Sequence, residues 1–213
     1  MNVREAYDAM LAGMGRQEWW HMERGFSPKE FEVCLGAILT QNTNWRNVER
    51  ALELMKKKGF VTPGSVLSAS QKELEEAVRP SGFYKQKAER LKIFSEFVQA
   101  YGGFDGFRKK VTREDLLKLK GIGPETADSV LLYAIGRPVF VIDAYTKRIF
   151  TRLGFPEQKG YEEWRALFEK GLPRDAHLYK EFHALIVEHA KRLCRKRPLC
   201  AECFLKGKCA RKI

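Results

Sequence analysis

Hydrophobic side chains recur along most of this chain at the three- and four-residue spacing of one helix face. Between residues 44 and 58, for example, Val48, Ala51 and Leu52 would share a face. The apolar run 138–142 has no visible partner strand, so we predict a buried extended link there. A capping box at Ser27, with Pro28 in the first helical position, opens the first helix of this pattern. The sequence predicts an all-α protein with helices at 28–40, 44–58, 70–78, 86–101, 112–120, 124–135, 144–153, 161–170 and 176–193.

The turn between the helices predicted at 112–120 and 124–135 is the most specific feature of the pattern. Gly121 and Gly123 lie one residue apart in it, and Pro124 begins the second helix. Glycine adopts positive φ without strain, and proline suits the first helical position because its missing N–H would be unpaired there anyway. The N–H groups at the start of the second helix, together with the helix dipole, would form a site for a phosphate. An ordinary helical corner could have the same sequence.

The chain is strongly basic. Its 39 Lys and Arg residues against 27 Asp and Glu residues give a net charge of +12. Such an excess is expected of a nucleic-acid binder, and together with the predicted turn it indicates DNA. No apolar run approaches the roughly 20 residues that span a bilayer. The N-terminus lacks the pattern of a signal peptide. We therefore expect a cytoplasmic protein with no membrane partner.

Four of the five cysteines lie within sixteen residues of each other: Cys194, Cys200, Cys203 and Cys209. In a cytosolic protein, clustered cysteines indicate a metal site more often than disulfides. Four thiolates can bind either a tetrahedral zinc ion or a [4Fe–4S] cluster. The same loop carries Arg195, Lys196 and Arg197, which could grip phosphates. The alternative is a stabilising staple with a solvated basic surface.

Asp143 stands between the predicted extended link and the next helix. Asp is a favoured N-cap residue, so one interpretation of Asp143 is structural. The other is catalytic, because a positioned carboxylate can stabilise a sugar oxocarbenium ion or activate water to attack it. This is the chemistry of N-glycosidic bond cleavage.

Several segments together resemble the endonuclease III branch of the helix-hairpin-helix DNA glycosylases, over roughly residues 27 to 209. They are Leu39–Thr43, Leu119–Gly123, Val141–Asp143, and the stretch from Phe182 through His189 to Cys194. The resemblance implies a two-lobed helical fold. A six-helix barrel with the hairpin would span 27–136, and a discontinuous lobe of 1–26 and 137–213 would carry a [4Fe–4S] loop at 194–209. It also implies a monomer that acts on damaged double-stranded DNA, in the nucleoid, and flips the damaged base into a pocket.

The resemblance also assigns roles to residues. Gln41 would fill the gap left by the flipped nucleotide, and Asp143 would promote bond cleavage. The hairpin would hold the DNA backbone through Gly121, Ile122, Gly123, Glu125 and Thr126. Bifunctional members of the family carry a Schiff-base lysine at the position of Glu125. A carboxylate cannot form the imine, so we expect a monofunctional glycosylase with little or no strand cleavage.

The substrate is predicted from a resemblance to the 3-methyladenine glycosylase offshoot of the family. Trp19, Trp20 and Trp45 are the candidate pocket aromatics, although ordinary core packing is an equal alternative for each. A cationic alkylated purine stacks well on electron-rich rings. Members of that offshoot generally lack the four cysteines, so this chain would combine an alkylpurine pocket with a cluster-bearing frame. Two alternatives remain: a bifunctional glycosylase/lyase for oxidised pyrimidines, and a non-catalytic DNA-binding module.

Overall fold

The computed structural model of the protein describes residues 1–18 and 24–210. Within these residues the chain forms helices and connecting loops, with no β-strand, which confirms the predicted all-α class. The helices include a 3₁₀ turn at Arg79–Ser81 and a π-helical stretch at Val130–Ile135. The α-helices are α1 (Val3–Met14), α2 (Lys29–Leu39), α3 (Trp45–Lys57), α4 (Pro63–Ser68), α5 (Gln71–Val78), α6 (Tyr84–Ala100), α7 (Phe104–Lys110), α8 (Arg113–Leu117), α9 (Pro124–Ser129), α10 (Ala144–Leu153), α11 (Tyr161–Gly171) and α12 (Ala176–Arg192).

The nine predicted helices are all present, with differences at their ends. The capping box predicted at Ser27 is wrong, because Pro28 is the N-cap of α2 and the Ser27 N–H donates to the Val61 carbonyl at 3.0 Å. Three α-helices are not among the nine predicted: α1 at the N-terminus, and α4 and α7, which are short and contain glycine. The second arm of the hairpin is α-helical only to Ser129, where it widens into the π-helical stretch.

The chain divides into two compact units, of which one is Met22–Ile135. Its centre is α2, which packs against α3, α6, α9 and the π-helical stretch. Aromatic side chains fill the space between α2, α6 and α7, where Phe94 stacks on Phe31 at 6.5 Å between ring centroids and meets Phe107 edge-on at 5.7 Å. This unit carries the whole helix-hairpin-helix.

The other unit combines Met1–His21 with Gly136–Ile213. Its central element is α12, against which α1 and α10 pack. The link at 138–142 forms neither helix nor strand, and its last three residues are buried. Side chains take up two of its buried N–H groups. Phe140 donates to Glu169 at 3.0 Å, and Ile142 donates to the Tyr161 hydroxyl at 3.2 Å. This link delivers Asp143 to the start of α10.

In the part of the chain that the structure describes, no helix is long and apolar enough to cross a membrane.

Candidate active site and nucleic-acid interface

Asp143 is both the N-cap of α10 and a partly accessible carboxylate. Its Oδ1 accepts hydrogen bonds from the backbone N–H of Thr146 at 2.7 Å and from the Thr146 hydroxyl at 2.8 Å. The Asp143 side chain is 14% exposed. Both interpretations of Asp143 are therefore compatible, because one oxygen caps the helix while the other, Oδ2, is left for a different partner.

That partner is His183 on α12, whose Nε2 atom lies 3.6 Å from Oδ2 of Asp143. The two form an ion pair whenever the imidazole is protonated. Sequence reasoning gave His183 no role, since forty residues separate it from Asp143 and nothing in the pattern indicates that α10 and α12 pack together. The only sequence signal was a histidine on the apolar helix that leads into the cysteines.

The environment keeps Asp143 ionised. Burial is the strongest single influence and would raise the pKa of this carboxyl group. The nearby His183 imidazole, together with the two donors of Thr146, outweighs burial and holds the pKa below its ordinary value. Asp143 is therefore a carboxylate at neutral pH, in a site where a developing positive charge would be stabilised.

The hairpin has the geometry that its sequence predicts. Gly121 has a φ of +83°, a conformation that favours glycine, and Gly123 is the N-cap of α9. Among the described residues, no side chain caps α9. A buried ion pair clamps the two arms, because Arg113 on α8 donates to both oxygens of Asp128 on α9 at 2.6 and 3.1 Å. Ile122 and Thr126 are buried, whereas Glu125 is exposed.

Gln41 contacts the hairpin directly. Its Nε2 donates to the Gly121 carbonyl at 3.0 Å and to the Thr126 hydroxyl at 2.9 Å. Its Oε1 accepts a hydrogen bond from the Arg90 guanidinium. The structure thus brings Gln41, Gly121 and Thr126 together, three of the residues predicted to contact DNA.

The predicted pocket aromatics have different outcomes. Trp45 is the first residue of α3, and its ring lies so close to Gly36 of α2 that an added Cβ there would be 3.3 Å away. Trp19 and Trp20 lie outside the described residues. An aromatic that sequence reasoning did not single out is Phe83, which is 61% exposed and has a φ of +47° at the start of α6. Its left-handed backbone is unusual for a bulky residue.

The four clustered cysteines line one small cavity beside α10 and α12. The remaining walls are largely apolar and include Ile149, Leu153, Leu193 and Leu205. Arg152 donates to Sγ of Cys194 at 3.4 Å, and Nε2 of His189 lies 3.3 Å from Sγ of Cys203. Within residues 1–18 and 24–210, no group of three or more metal-ligating side chains is arranged to hold a single ion.

The environment of Cys203 disfavours its ionised form. Burial raises the pKa of the Cys203 thiol, and the charges of Cys194, Cys209 and Cys200 raise it further. Four thiolates so close together repel each other unless a metal compensates their charge. The donor chemistry, four sulfurs around one cavity, is that of a sulfur-ligated metal group.

The basic residues of this loop are exposed. Arg152 on α10 fixes their backbone, because it donates to the carbonyls of Arg195 at 2.6 Å and Lys196 at 3.1 Å. The Nε of Arg195 also caps α12, with bonds of 3.1 Å to the carbonyls of Lys191 and Arg192. These hydrogen bonds connect the backbone that carries Lys196 and Arg197 to α10 and to the end of α12.

An all-α fold with a helix-hairpin-helix and an ionised, positioned aspartate is the arrangement expected of a DNA glycosylase. The family model described as "HhH-GPD superfamily base excision DNA repair protein" matches residues 35–174, and the chain belongs to that superfamily. The resemblance to helix-hairpin-helix DNA glycosylases is therefore confirmed, and the chain is a DNA glycosylase of base-excision repair.

Three similar proteins give this assignment its context. A protein of Methanocaldococcus jannaschii, provisionally named a DNA repair glycosylase, is 45% identical over 99% of this chain and 96% of its own length. Endonuclease III of Thermotoga maritima is 35% identical over 84% of this chain and 82% of its own. The crystal structure of H. pylori 3-methyladenine DNA glycosylase bound to 1,N6-ethenoadenine has a TM-score of 0.81 and 34% identity, and the match covers 90% of this chain and 98% of that one.

Proposed function

We propose that this protein is a monofunctional DNA glycosylase that hydrolyses the N-glycosidic bond of alkylated purines such as 3-methyladenine. The observation that carries the proposal is the ionised Asp143, which caps α10 with one oxygen and presents the other beside His183. The environment of this carboxylate suits the stabilisation of a cationic sugar.

In the proposed reaction the departing base leaves positive charge on the anomeric carbon and ring oxygen of the deoxyribose. The Asp143 carboxylate would stabilise this oxocarbenium ion and orient the water that adds to it. Thr146 and His183 would fix the carboxylate in place, so that little reorganisation is needed as the charge develops. An alkylated purine already carries positive charge and needs little further help to leave.

The lack of strand cleavage is proposed from Glu125. In bifunctional relatives this position holds the lysine that attacks the sugar, and a carboxylate cannot form the covalent imine. The similarity to endonuclease III of T. maritima keeps the bifunctional activity as the rival function. The two functions differ in whether a protein–DNA adduct forms.

The substrate class is proposed from the aromatic residues and from the similarity to H. pylori 3-methyladenine DNA glycosylase, which binds 1,N6-ethenoadenine in its crystal structure. Trp19, Trp20 and Trp45 are the proposed stacking surfaces for the extruded base. Stacking on electron-rich rings favours a cationic purine over a neutral one.

DNA contacts are proposed for both units, Met22–Ile135 with its barrel and hairpin and the discontinuous unit with the cysteine loop. The uncapped N-terminus of α9 would bind a backbone phosphate through its N–H groups. Gln41 would fill the gap in the duplex, and Arg195, Lys196 and Arg197 would contact further phosphates. The enzyme would act as a monomer on chromosomal DNA.

We propose a [4Fe–4S] cluster as the group held by Cys194, Cys200, Cys203 and Cys209. The four thiols surround one cavity, which suits a cluster of several atoms. A single zinc ion is the alternative. The group would stabilise the loop and thereby the basic residues on it.

The test is to incubate the purified protein with a panel of lesion duplexes and to assay free base and nicked strand separately. A parallel incubation with borohydride traps any imine. The proposal predicts released alkylpurine, intact abasic strands and no trapped adduct. Oxidised pyrimidine release with a trapped adduct would establish the bifunctional alternative. Tight binding with no base released from any duplex would establish a non-catalytic module.

A further inference from the structure

Lys87 on α6 is a buried lysine with no role in the chemistry described above. The residue is only 1% exposed. Its Nζ donates to the Leu39 carbonyl at 2.8 Å and to the Ser81 carbonyl at 2.7 Å. A buried ammonium group is costly unless it is well hydrogen-bonded, so these two bonds identify a specific arrangement of the chain.

The two carbonyls belong to segments that lie more than forty residues apart in sequence. Leu39 is the last residue of α2, and Gln41 follows two residues later. Ser81 ends the 3₁₀ turn, and the exposed Phe83 follows two residues later. Lys87 therefore holds the backbone two residues before Gln41 and the backbone two residues before Phe83.

The next turn of α6 continues the same arrangement. Arg90, three residues after Lys87, donates to the side chain of Gln41. It also packs against Gly121, where any Cβ would collide with the Arg90 guanidinium. One face of α6 thus contacts the segment of Gln41, the segment of Phe83 and the hairpin.

We propose that Lys87 is a positioning residue that fixes the spacing between Gln41 and Phe83, so that both side chains enter the duplex gap together when a nucleotide is flipped. The inference rests on the proposed function, because it needs a flipped nucleotide. Lys87 itself contacts no DNA, and it acts through the two carbonyls. A gap-filling pair must be held rigidly, since a displacement of about 1 Å can cost two orders of magnitude in rate.

The cationic character of Lys87 supports this role. Burial, with a contribution from the charge of Arg90, lowers its pKa to about 8, so that the ammonium form persists at neutral pH. An ammonium group has three donors and no acceptor, which suits the joining of two carbonyl groups.

Lys92 on the same helix provides a matched control. Its Nζ donates to the Ala69 carbonyl at 2.5 Å, at the end of α4. This bond also joins α6 to a backbone carbonyl, but the segment it holds carries none of the residues proposed to contact DNA. Removal of either ammonium group leaves backbone carbonyls without their donor. Only the removal of the Lys87 ammonium would displace Gln41 and Phe83.

The experiment compares Lys87→Met and Lys92→Met on a duplex with a tetrahydrofuran abasic analogue opposite 2-aminopurine. Fluorescence of the 2-aminopurine reports whether protein side chains fill the gap. We expect wild type and Lys92→Met to produce the same fluorescence change, and Lys87→Met less than half of it. Single-turnover excision of the alkylpurine by Lys87→Met should be about tenfold slower. Affinity for undamaged duplex should stay within about twofold of wild type, because the backbone contacts are intact.

Equal fluorescence changes and equal excision rates in the two variants would overturn the role of Lys87. Failure of the wild type to excise any base would overturn the proposed function instead, and the fluorescence comparison would still test Lys87. If Lys87→Met does not fold, Lys87→Gln permits the same comparison, because its shorter side chain fills part of the space but cannot join both carbonyls. For this variant, too, fluorescence and rates equal to those of Lys92→Met would overturn the inference.

Discussion

His183 and Asp143 meet across α12 and α10, with 3.6 Å between Nε2 and Oδ2. The carboxylate oxygens have separate partners, because Oδ1 is bound to Thr146. Helix capping and the proposed catalytic role therefore do not compete for the same atom. The capping bonds fix the carboxylate at the start of α10. His183 faces the second oxygen and lowers the pKa of the carboxyl group.

Replacement of His183 by Ala should move the acid limb of the pH–rate profile to higher pH. Burial raises the pKa of Asp143, and His183 is the strongest influence that lowers it. Without the imidazole, the effect of burial is less opposed and the pKa of Asp143 rises, so the carboxylate becomes protonated at a higher pH. The measurement is kcat/KM for base excision between pH 4 and 8. An acid limb at the same pH in wild type and variant would mean that His183 does not control the carboxylate.

Disruption of the hairpin clamp should be far more costly than disruption of a surface pair. Asp128 is fully buried, and Arg113→Met would leave its carboxylate without the bidentate partner. We expect a loss of about 3–5 kcal/mol in the free energy of unfolding. Arg4→Met, which breaks the exposed pair with Asp8, should cost no more than about 1 kcal/mol.

Urea unfolding of both variants measures this difference. The double variant Arg113→Met/Asp128→Leu should recover part of the stability, since it removes the buried charge as well. Similar small losses for Arg113→Met and Arg4→Met would show that the buried pair does not hold the hairpin together.

The helix-hairpin-helix and the N-cap role of Asp143 could be predicted because their signals are local. Glycine spacing, a proline at the first helical position and an acidic cap are each decided by a few neighbouring residues. The π-helical stretch after Ser129 could not be predicted, because an apolar run at 130–135 fits either helix type. The contact partners of Asp143 and Gln41 depend on helix packing, and the sequence pattern does not encode which helices meet.

Buried polar side chains were the least predictable part of the fold. Lys87 has the sequence neighbourhood of an exposed residue on an amphipathic helix, and only its two carbonyl partners explain its burial. The same holds for Asp128, whose burial depends on Arg113 fifteen residues earlier.

At alkaline pH the free energy of unfolding should depend on the titration of Lys87. Its pKa is about 8 in the folded protein and 10.5 ordinarily. Between these values the unfolded chain binds more protons, so the free energy of unfolding rises with pH, by up to about 1.4 kcal/mol per pH unit from this group. Urea unfolding of wild type and Lys87→Met at pH 7.5, 8.5 and 9.5 isolates the effect. A pH-independent difference between the two proteins would contradict it.

Replacement of Cys203 by Ser should abolish binding of the proposed metal group. The serine oxygen is a poor ligand for soft metals, and Cys203 is one of the four sulfurs around the cavity. For an iron–sulfur cluster, we expect the brown colour and the visible absorbance of the wild type to be lost, with iron and sulfide contents falling in parallel. Cys34→Ser, which alters the buried cysteine of the other unit, should leave the metal content unchanged. One zinc per colourless wild-type chain would contradict the cluster assignment.

The most direct test of the catalytic account is single-turnover excision of an N-alkylated purine from duplex DNA by Asp143→Asn. The amide oxygen can still cap α10, so fold and DNA affinity should be preserved, while the negative charge that would stabilise the sugar cation is gone. We predict a rate at least about 100-fold lower, with the dissociation constant for the same duplex nearly unchanged. Excision at the wild-type rate by this variant would contradict the assignment of Asp143 as the catalytic carboxylate.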